Sequence, residues 1–274
     1  MATASLGDRM KGYEGVTRTY LTRRTPVIIR IDGKAFHTFT SGMVKPFDNV
    51  LTDSMQSTMK RLCENIQGCV LGYTQSDEIT LVLVDYKSLN SDAWFDNNIQ
   101  KMVSVSASMA TAYFNKAFRL AFEAYVHHPD RTSPYSREYL EACWRKIDCA
   151  MFDSRVFNIP KEEVCNCLIW RQQDATRNSI ESTAQAHFSH KQLHGKSCDV
   201  LQDMLMIDKG INWNDTATKL KRGSCCIKET YRADDDGINA DSQPILRTRW
   251  TIDNEIPIFT QNRKYVESLI YFED

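Results

Sequence analysis

The feature that most constrains the fold is an apolar run that ends abruptly in Asp-Gly, at residues 27–37, VIIRIDGKAFH. A short β-branched run bounded by glycine is typical of a buried strand. Asp32 then stands where the strand leaves the core, and a carboxylate there is unfavourable unless it has a partner or a function. Asp-Gly is also a common turn dipeptide, so this run alone does not predict a binding site.

Two further apolar runs lie at residues 70–85, VLGYTQSDEITLVLVD. They flank Gln75–Glu78 and predict a β-hairpin with an acidic tip. If the hairpin and the first strand share a sheet, Asp32 and Asp77 meet at one edge, and adjacent carboxylates repel unless a cation lies between them. Oxygen ligands of this kind suit Mg²⁺. The amides after Gly33 are suited to bind phosphate, because turn N–H groups bind anions.

The spacing of apolar residues in the N-terminal part predicts the order β-α-β-β-α-β. Helices are predicted over 48–66 and 99–126, where apolar residues recur every three or four positions, and a strand over 149–159. This is the order of the ferredoxin-like fold, an α+β arrangement. Polymerase palm domains and nucleotidyl cyclases both have this topology, so the fold alone does not name the function.

The pattern changes after Pro160 and predicts a mainly helical region. Helices are predicted over 161–188, 197–207 and 259–271, the last of them capped by Thr260, and a strand over 246–252. We therefore divide the chain into a palm-like catalytic domain with an N-terminal arm, residues 1–160, and a mainly helical region, residues 161–274. We expect the second region to contact RNA.

Charge and cysteine content narrow the class of protein. The net charge of −1 gives no global attraction to nucleic acid, so any RNA contact would come from local basic patches. No apolar segment is typical of a signal peptide or a membrane helix. The nine cysteines are expected to be reduced thiols of a cytoplasmic protein. Cys165 and Cys167 precede three histidines, but their C-x-C spacing is tighter than the usual zinc knuckle.

Three segments carry a resemblance to one enzyme family: RIDGKAFHTF, GYTQSDEITLVL and WRQQDATRNSI. On these segments the chain, up to about Arg222, resembles the tRNA-His guanylyltransferase superfamily, the polymerases that add nucleotides in the 3′-to-5′ direction. The resemblance implies an enzyme that activates the 5′-monophosphate of a tRNA with ATP or GTP. The 3′-OH of an incoming NTP then attacks the activated end, and both steps are phosphoryl transfers.

The resemblance also implies the residues of the site. Asp32 and Asp77 would be the catalytic carboxylates and would bind two Mg²⁺ ions together with the Gly33 carbonyl. Phe36 and His37 have an alternative interpretation, as a core residue and an ordinary polar residue. The expected nucleotide-binding residues are Asp32, Gly33, Lys34, Ala35, Phe36, His37, Lys45, Asp48, Ser76 and Asp77.

Basic and polar residues of the second region are candidates for RNA binding. They are Arg171, Arg177, Asn178, Lys219, Lys221 and Arg222. Arginines at helical spacing can contact backbone phosphates, although a solvated helix face would show the same pattern. The resemblance further implies a homotetramer, in which a tRNA that spans subunits would explain why the monomer is nearly neutral.

One segment departs from the family pattern. Eukaryotic members carry His-Ile-Asn-Asn after the WRQ segment, whereas this chain has Ala175–Asn178 with different residues at the first three positions. This favours the bacterial and archaeal "like" proteins, which rebuild truncated tRNA 5′ ends by templated addition, over the addition of one guanosine to tRNA-His. A palm-type nucleotidyl cyclase stays open as a second enzyme. The presence of both Asp32 and Asp77 argues against a non-catalytic binding protein.

Overall fold

The computed structural model describes residues 5–127, 136–232 and 246–272. The strands are β1 (Val27–Gly33), β2 (Cys69–Gln75), β3 (Glu78–Leu83), β4 (Phe152–Asn158), β5 (Ser224–Arg232) and β6 (Leu246–Asp253). The helices are α1 (Leu6–Gly15), α2 (Phe36–Phe39), α3 (Asn49–Asn65), α4 (Ile99–His127), α5 (Arg137–Trp144), α6 (Lys161–His187), α7 (His190–Leu193), α8 (Cys198–Lys209), α9 (Thr218–Lys221) and α10 (Lys264–Glu267).

The first four strands form an antiparallel sheet in the order β4-β1-β3-β2. Strand β1 is central and pairs with β3 on one side and β4 on the other. Because α3 joins β1 to β2 and α4 lies between β3 and β4, this is the ferredoxin-like arrangement. The predicted α+β class and strand order of this part are confirmed.

The C-terminal region adds two strands to the same sheet. β5 pairs with β2, and β6 pairs with β5 at the edge. β5 was not predicted because only its first residues are buried and the remainder is largely exposed, so its apolar run is very short. The region is thus less helical than expected, and the division of the chain at residue 160 stays a prediction.

The predicted closing helix over 259–271 is wrong. Only α10 is helical there, and a turn at Phe259–Gln261 precedes it. Three apolar residues of this irregular segment, Phe259, Val266 and Ile270, belong to the same core cluster as Ile28 of β1. Burial rather than helical periodicity therefore explains their spacing.

Each face of the sheet has its own core. Ile29 and Ile31 face the side covered by α3 and α4, whereas Ile28 faces the side covered by α6. This alternation is what a pleated strand requires when both faces are buried. The sheet is therefore held on both sides, and the strand ends beside Asp32 are held in place.

α1 is an exposed helix whose N-cap Ser5 forms a capping box with Asp8. All nine cysteines are free thiols. Within the three ranges that the structure describes, we find no helix long and apolar enough to cross a membrane.

Candidate functional site

The candidate site lies where β1 ends beside the turn that joins β2 to β3. Asp32 is near the end of β1, and Asp77 lies in that turn with Ser76. The Gly33 amide donates a hydrogen bond to the Asp77 carbonyl at 3.1 Å. This bond holds the turn against the strand end and brings the two expected carboxylate residues into one corner of the sheet.

Asp32 is part of a row of carboxylates across three strands. It faces Glu78 on β3 and Asp153 on β4 in the sheet register, and directly opposed residues project to the same face. Glu78 is neutralised, because it lies 3.0 Å from the Arg30 guanidinium and 2.8 Å from that of Arg171. Within the described residues, neither Asp32 nor Asp77 forms an ion pair, although the charges of Arg155 and Arg30 act on Asp32 from farther away.

The surroundings of both aspartates disfavour their charged forms. Burial raises the pKa of Asp32, and the charges of Glu78 and Asp153 raise it further. Burial also raises the pKa of Asp77. The Ser76 hydroxyl, which donates to the Asp77 carboxylate at 3.0 Å, lowers this pKa, and the charge of Asp32 raises it. A cation bound at this corner would favour the ionised carboxylates. Such perturbed groups are typical of functional sites.

Gly33 and Phe36 shape the turn that follows β1. A Cβ on Gly33 would overlap the Phe36 ring, so only glycine fits with this ring in place. The Phe36 ring is buried and packs within 5.5 Å of the rings of Phe39 and Phe114. The side chain of Phe36 is therefore a core residue, which is the alternative interpretation of the sequence.

The amides after Gly33 are only partly available. The Lys34 amide donates to the Met151 carbonyl at 2.9 Å, which corrects the expectation that it faces a phosphate. Ala35 has a left-handed backbone with φ of 55° and turns the chain into α2. Among the residues described, the amides of Ala35, Phe36 and His37 have no acceptor, so these three remain free to bind an anion.

A cavity of about 470 Å³ opens beside this corner. Four of the expected nucleotide-binding residues line it: His37, Lys45, Asp48 and Ser76. Polar residues of α6 and α9 also line it. The site thus combines an acidic corner with an adjoining polar cavity.

Asp48 has a structural role in this cavity wall. It is the N-cap of α3, and its two carboxylate oxygens accept from the amides of Leu51 at 3.2 Å and Val44 at 3.0 Å. Lys45 and His37, in contrast, are exposed at the cavity. Nucleotide contact by these residues stays a prediction, and Asp48 can support it mainly by fixing the loop that carries Lys45.

Residues 7–160, more than half of the chain, match the model of the tRNAHis guanylyltransferase family. The chain belongs to this family. The match spans β1 and the hairpin, and hence both Asp32 and Asp77. Relatives in the family are tRNA(His) guanylyltransferases, so the chain is a nucleotidyltransferase, as the three sequence segments indicate.

Two solved structures of bacterial relatives cover nearly the whole chain, and a curated eukaryotic relative covers about four fifths of it. A bacterial tRNA(His) guanylyltransferase-like protein in complex with ATP is 45% identical with a TM-score of 0.81, over 98% of this chain and 100% of that chain. A structure of such a bacterial protein in complex with GTP is 42% identical with a TM-score of 0.76, over the same 98% and 100%. The tRNA(His) guanylyltransferase of Schizosaccharomyces pombe is 27% identical over 235 residues, which are 81% of this chain and 80% of that protein.

For two residues, Arg171 and Lys221, the expected contact with RNA is wrong. The Arg171 side chain is only 7% exposed, bonds Glu78 and Asp174, and stacks 3.7 Å from the Trp170 ring centroid. Lys221 is also buried, and its ammonium donates to the Asn214 carbonyl at 2.5 Å. Both cations are bonded inside the protein, so neither is available to a phosphate.

The other four RNA candidates occupy different surroundings. Asn178 and Lys219 line the cavity, and the Lys219 ammonium lies 3.9 Å from the Asp53 carboxylate. Arg177 is exposed and pairs with Asp174. Arg222 is half-buried, and its carbonyl accepts from the Tyr73 hydroxyl at 2.6 Å. RNA binding by these residues stays a prediction.

The donor set of the corner suits a metal that is bound together with substrate. In the described part of the chain, no group of three or more His, Cys, Asp or Glu side chains could hold a metal ion. At this corner the protein offers the carboxylates of Asp32 and Asp77 and the carbonyl of Gly33 as candidate ligands. Mg²⁺ commonly uses one or two carboxylates and completes its shell with water and substrate phosphates.

Sequence reasoning missed Arg30 and Gln56. Arg30 interrupts the apolar run of β1, and a cation within a buried strand signals a carboxylate partner, which is Glu78. Gln56 follows Met55 on the buried face of α3. A polar residue on an apolar helix face is a similar signal, because buried polar groups are hydrogen-bonded.

Proposed function

We propose that this protein rebuilds tRNA 5′ ends by templated addition of nucleotides in the 3′-to-5′ direction. The observation that carries the proposal is the corner formed by Asp32 and Asp77, two carboxylates without a counter-cation beside a polar cavity large enough for a nucleotide. Family membership supplies the reaction class, and the two carboxylates without an ion-pair partner indicate where the reaction takes place.

Asp32, Asp77 and the Gly33 carbonyl would hold two Mg²⁺ ions. The carboxylates fit this role because their pKa values are raised and no arginine or lysine of the described residues forms an ion pair with them. Glu78, in contrast, is neutralised by Arg30 and Arg171. Bound Mg²⁺ supplies charge neutralisation of the phosphates and activation of the attacking oxygen.

The residues of the chain position the substrates for two phosphoryl transfers. In the first, an oxygen of the tRNA 5′-phosphate attacks the α-phosphorus of ATP or GTP and pyrophosphate leaves. In the second, the 3′-OH of the incoming NTP attacks the activated 5′-phosphorus, and the nucleoside monophosphate leaves. The free amides of Ala35, Phe36 and His37 would bind triphosphate oxygens, and Lys45 and Lys219 would add positive charge at the cavity. Catalysis of this kind depends on position and electrostatics.

Templated repair is supported over addition of a single guanosine by two observations. Residues 175–177 differ from the first three residues of the His-Ile-Asn-Asn segment of eukaryotic members. The bacterial guanylyltransferase-like protein is 45% identical to this chain, whereas the enzyme of Schizosaccharomyces pombe is 27% identical. By sequence identity, the chain is therefore nearer to the bacterial "like" protein than to this eukaryotic guanylyltransferase.

The test uses a tRNA that lacks its first 5′ nucleotide, with Mg²⁺ and each labelled NTP in turn. We expect incorporation of the nucleotide that pairs with the opposing 3′ base, and a changed opposing base should change the nucleotide incorporated. Guanosine addition to full-length tRNA-His regardless of the opposing base would instead support the guanylyltransferase alternative. A cyclic product from NTP alone would identify a nucleotidyl cyclase.

The aspartates are tested in the same assay. We expect Asp32→Ala and Asp77→Ala to abolish nucleotide addition while their circular dichroism spectra stay like that of the wild type. Normal turnover by either folded variant would exclude the proposed role of these carboxylates.

We also propose a homotetramer as the active assembly. The net charge of −1 leaves a single subunit without general attraction to RNA, so a tRNA that contacts more than one subunit would combine several local basic patches. Sedimentation with and without tRNA tests this, and an active monomer would contradict it.

A further inference from the structure

The N-terminal helix α1 carries an apolar stripe that no part of the described subunit covers. Leu6, Met10 and Tyr13 recur at helical spacing and lie on one face of α1, and their side chains are between 47% and 75% exposed. No residue of α1 is buried. An isolated helix as short as α1 is only marginally stable in water, so packing of this stripe against another surface would stabilise it.

An apolar groove of about 550 Å³ lies at the C-terminal end of α4. Residues of α4 and α5 line it, and its apolar lining consists of Phe122, Val126, Leu140 and Trp144. Val126 is 43% exposed and Trp144 is 68% exposed. A contiguous apolar surface of this kind is typical of an interaction site.

The middle of the α1 stripe cannot reach the groove of its own subunit. The chain after α1 is fixed to the start of α4, because the Ile99 amide donates to the Thr19 carbonyl at 3.0 Å. Phe122 lies about 35 Å further along α4. The link from Gly15 to Thr19 spans at most about 14 Å, and Met10 lies about 8 Å further back along α1. Met10 therefore stays well short of the groove.

The two surfaces carry opposite charges at their rims. Arg9 flanks the stripe on α1, and Glu123 lines the groove. Both residues are exposed, and neither forms an ion pair with another residue that the structure describes. The remaining charged residues of the groove, Glu141 and Arg145, pair with each other. An arginine opposite a glutamate at the rim of an interface favours association of the correct partners.

We propose that α1 of one subunit packs into the α4–α5 groove of a second copy of this chain. Two subunits related by a two-fold axis can exchange α1 reciprocally, so that each groove holds the helix of the other subunit. Leu6, Met10 and Tyr13 stand at positions i, i+4 and i+7, which provide the anchors when an amphipathic helix binds in a groove.

The exposed area is sufficient for a specific contact. Five side chains of the two surfaces each expose roughly 100 Å²; they are Leu6, Met10, Tyr13, Val126 and Trp144. Two symmetric contacts would therefore remove about 1,000 Å² from water, which reaches the lower limit for a specific interface. The inference rests on the proposed function only in that the chain assembles, and it does not depend on the proposed reaction.

The experiment is sedimentation velocity of the full chain over a range of concentrations, without nucleotide or RNA. The variants are Tyr13→Glu on the stripe and Trp144→Glu in the groove. Ile207→Glu is the matched control, because Ile207 is 79% exposed on α8 and belongs to neither surface. Each of the first two variants places a charge in both symmetric contacts. We expect its dissociation constant to rise at least about hundredfold, and the control to match the wild type.

A mixture of Tyr13→Glu and Trp144→Glu tests whether the two surfaces contact each other. In a mixed pair, the unchanged α1 of Trp144→Glu meets the unchanged groove of Tyr13→Glu, so one of the two contacts is intact. We expect the mixture to associate about tenfold more tightly than either variant alone. A contact of α1 with α1, or of groove with groove, would leave no intact contact in the mixed pair.

A second pair of variants changes only the charges at the rims. Arg9→Glu and Glu123→Arg should each weaken association, and the double variant should restore it, because the opposite charges then exchange places. These substitutions are at exposed positions, so they supply the same comparison if Trp144→Glu loses its far-UV circular dichroism spectrum.

The inference is overturned if the wild type stays monomeric, if Tyr13→Glu associates like Ile207→Glu, or if the mixture associates no more tightly than the separate variants. Absence of tRNA extension by a wild type that associates in this way would count against the proposed reaction alone. Extension by the wild type together with normal association of Tyr13→Glu would count against this contact alone.

Discussion

Replacement of Arg171 by methionine should destabilise the protein strongly, although Arg171 does not touch the proposed nucleotide cavity. Its guanidinium lies between Glu78, at 2.8 Å, and Asp174, at 3.4 Å. Methionine keeps much of the apolar stem but removes the charge. Glu78 then stays beside Asp32 with Arg30 as its remaining cationic partner.

The magnitude follows from burial. Removal of one partner from a buried ion pair typically costs about 3–5 kcal/mol, because the other charge is left uncompensated. Arg171 is 7% exposed but Glu78 is 20% exposed, and Glu78 keeps its bond to Arg30. We therefore expect a loss of about 2–3 kcal/mol in the free energy of unfolding, below the range for a fully buried pair.

Urea denaturation of Arg171→Met and Arg177→Met provides the assay and its control. Both arginines pair with Asp174, but the Arg177 side chain is 58% exposed. Exposed pairs contribute at most about 1 kcal/mol, so we expect Arg177→Met to stay within that limit. Equal losses in the two variants would refute the argument that burial of the Glu78 pair decides the cost.

Three further predictions concern the acidic corner and the turn after β1. Without Mg²⁺, Asp77→Asn should raise the Tm at neutral pH, because burial raises the pKa of Asp77 in the folded state and its ionisation then destabilises the fold. The gain in Tm should vanish as the pH falls below the pKa of Asp77 in the unfolded chain, and a Tm difference independent of pH would contradict this. Gly33→Ala should lower stability by about 1–3 kcal/mol in urea denaturation, because the new Cβ overlaps the Phe36 ring; an unchanged midpoint would show that the ring moves without penalty. Removal of Mg²⁺ with EDTA should abolish nucleotide addition with no loss of far-UV circular dichroism, and full activity in EDTA would exclude the metal role.

The spacing of apolar residues determined the sheet core and its main helices. β1, the hairpin of β2 and β3, α3, α4 and α6 were all predicted close to their observed bounds. Each of these elements buries enough apolar residues for its own period to be visible in the sequence. β5 and the segment over 259–271 lacked that signal, since contact with the rest of the sheet decides their conformation.

The sequence by itself also identified Asp32 and Asp77 as candidates, because a carboxylate at the end of an apolar strand stands out locally. Only the tertiary structure decided which charges are free. Glu78 next to Asp77 is neutralised by Arg30 from β1 and Arg171 from α6, which removes Arg171 from the candidates for RNA binding. A carboxylate is compensated or left unpaired by its neighbours in three dimensions, which the residue type alone does not determine.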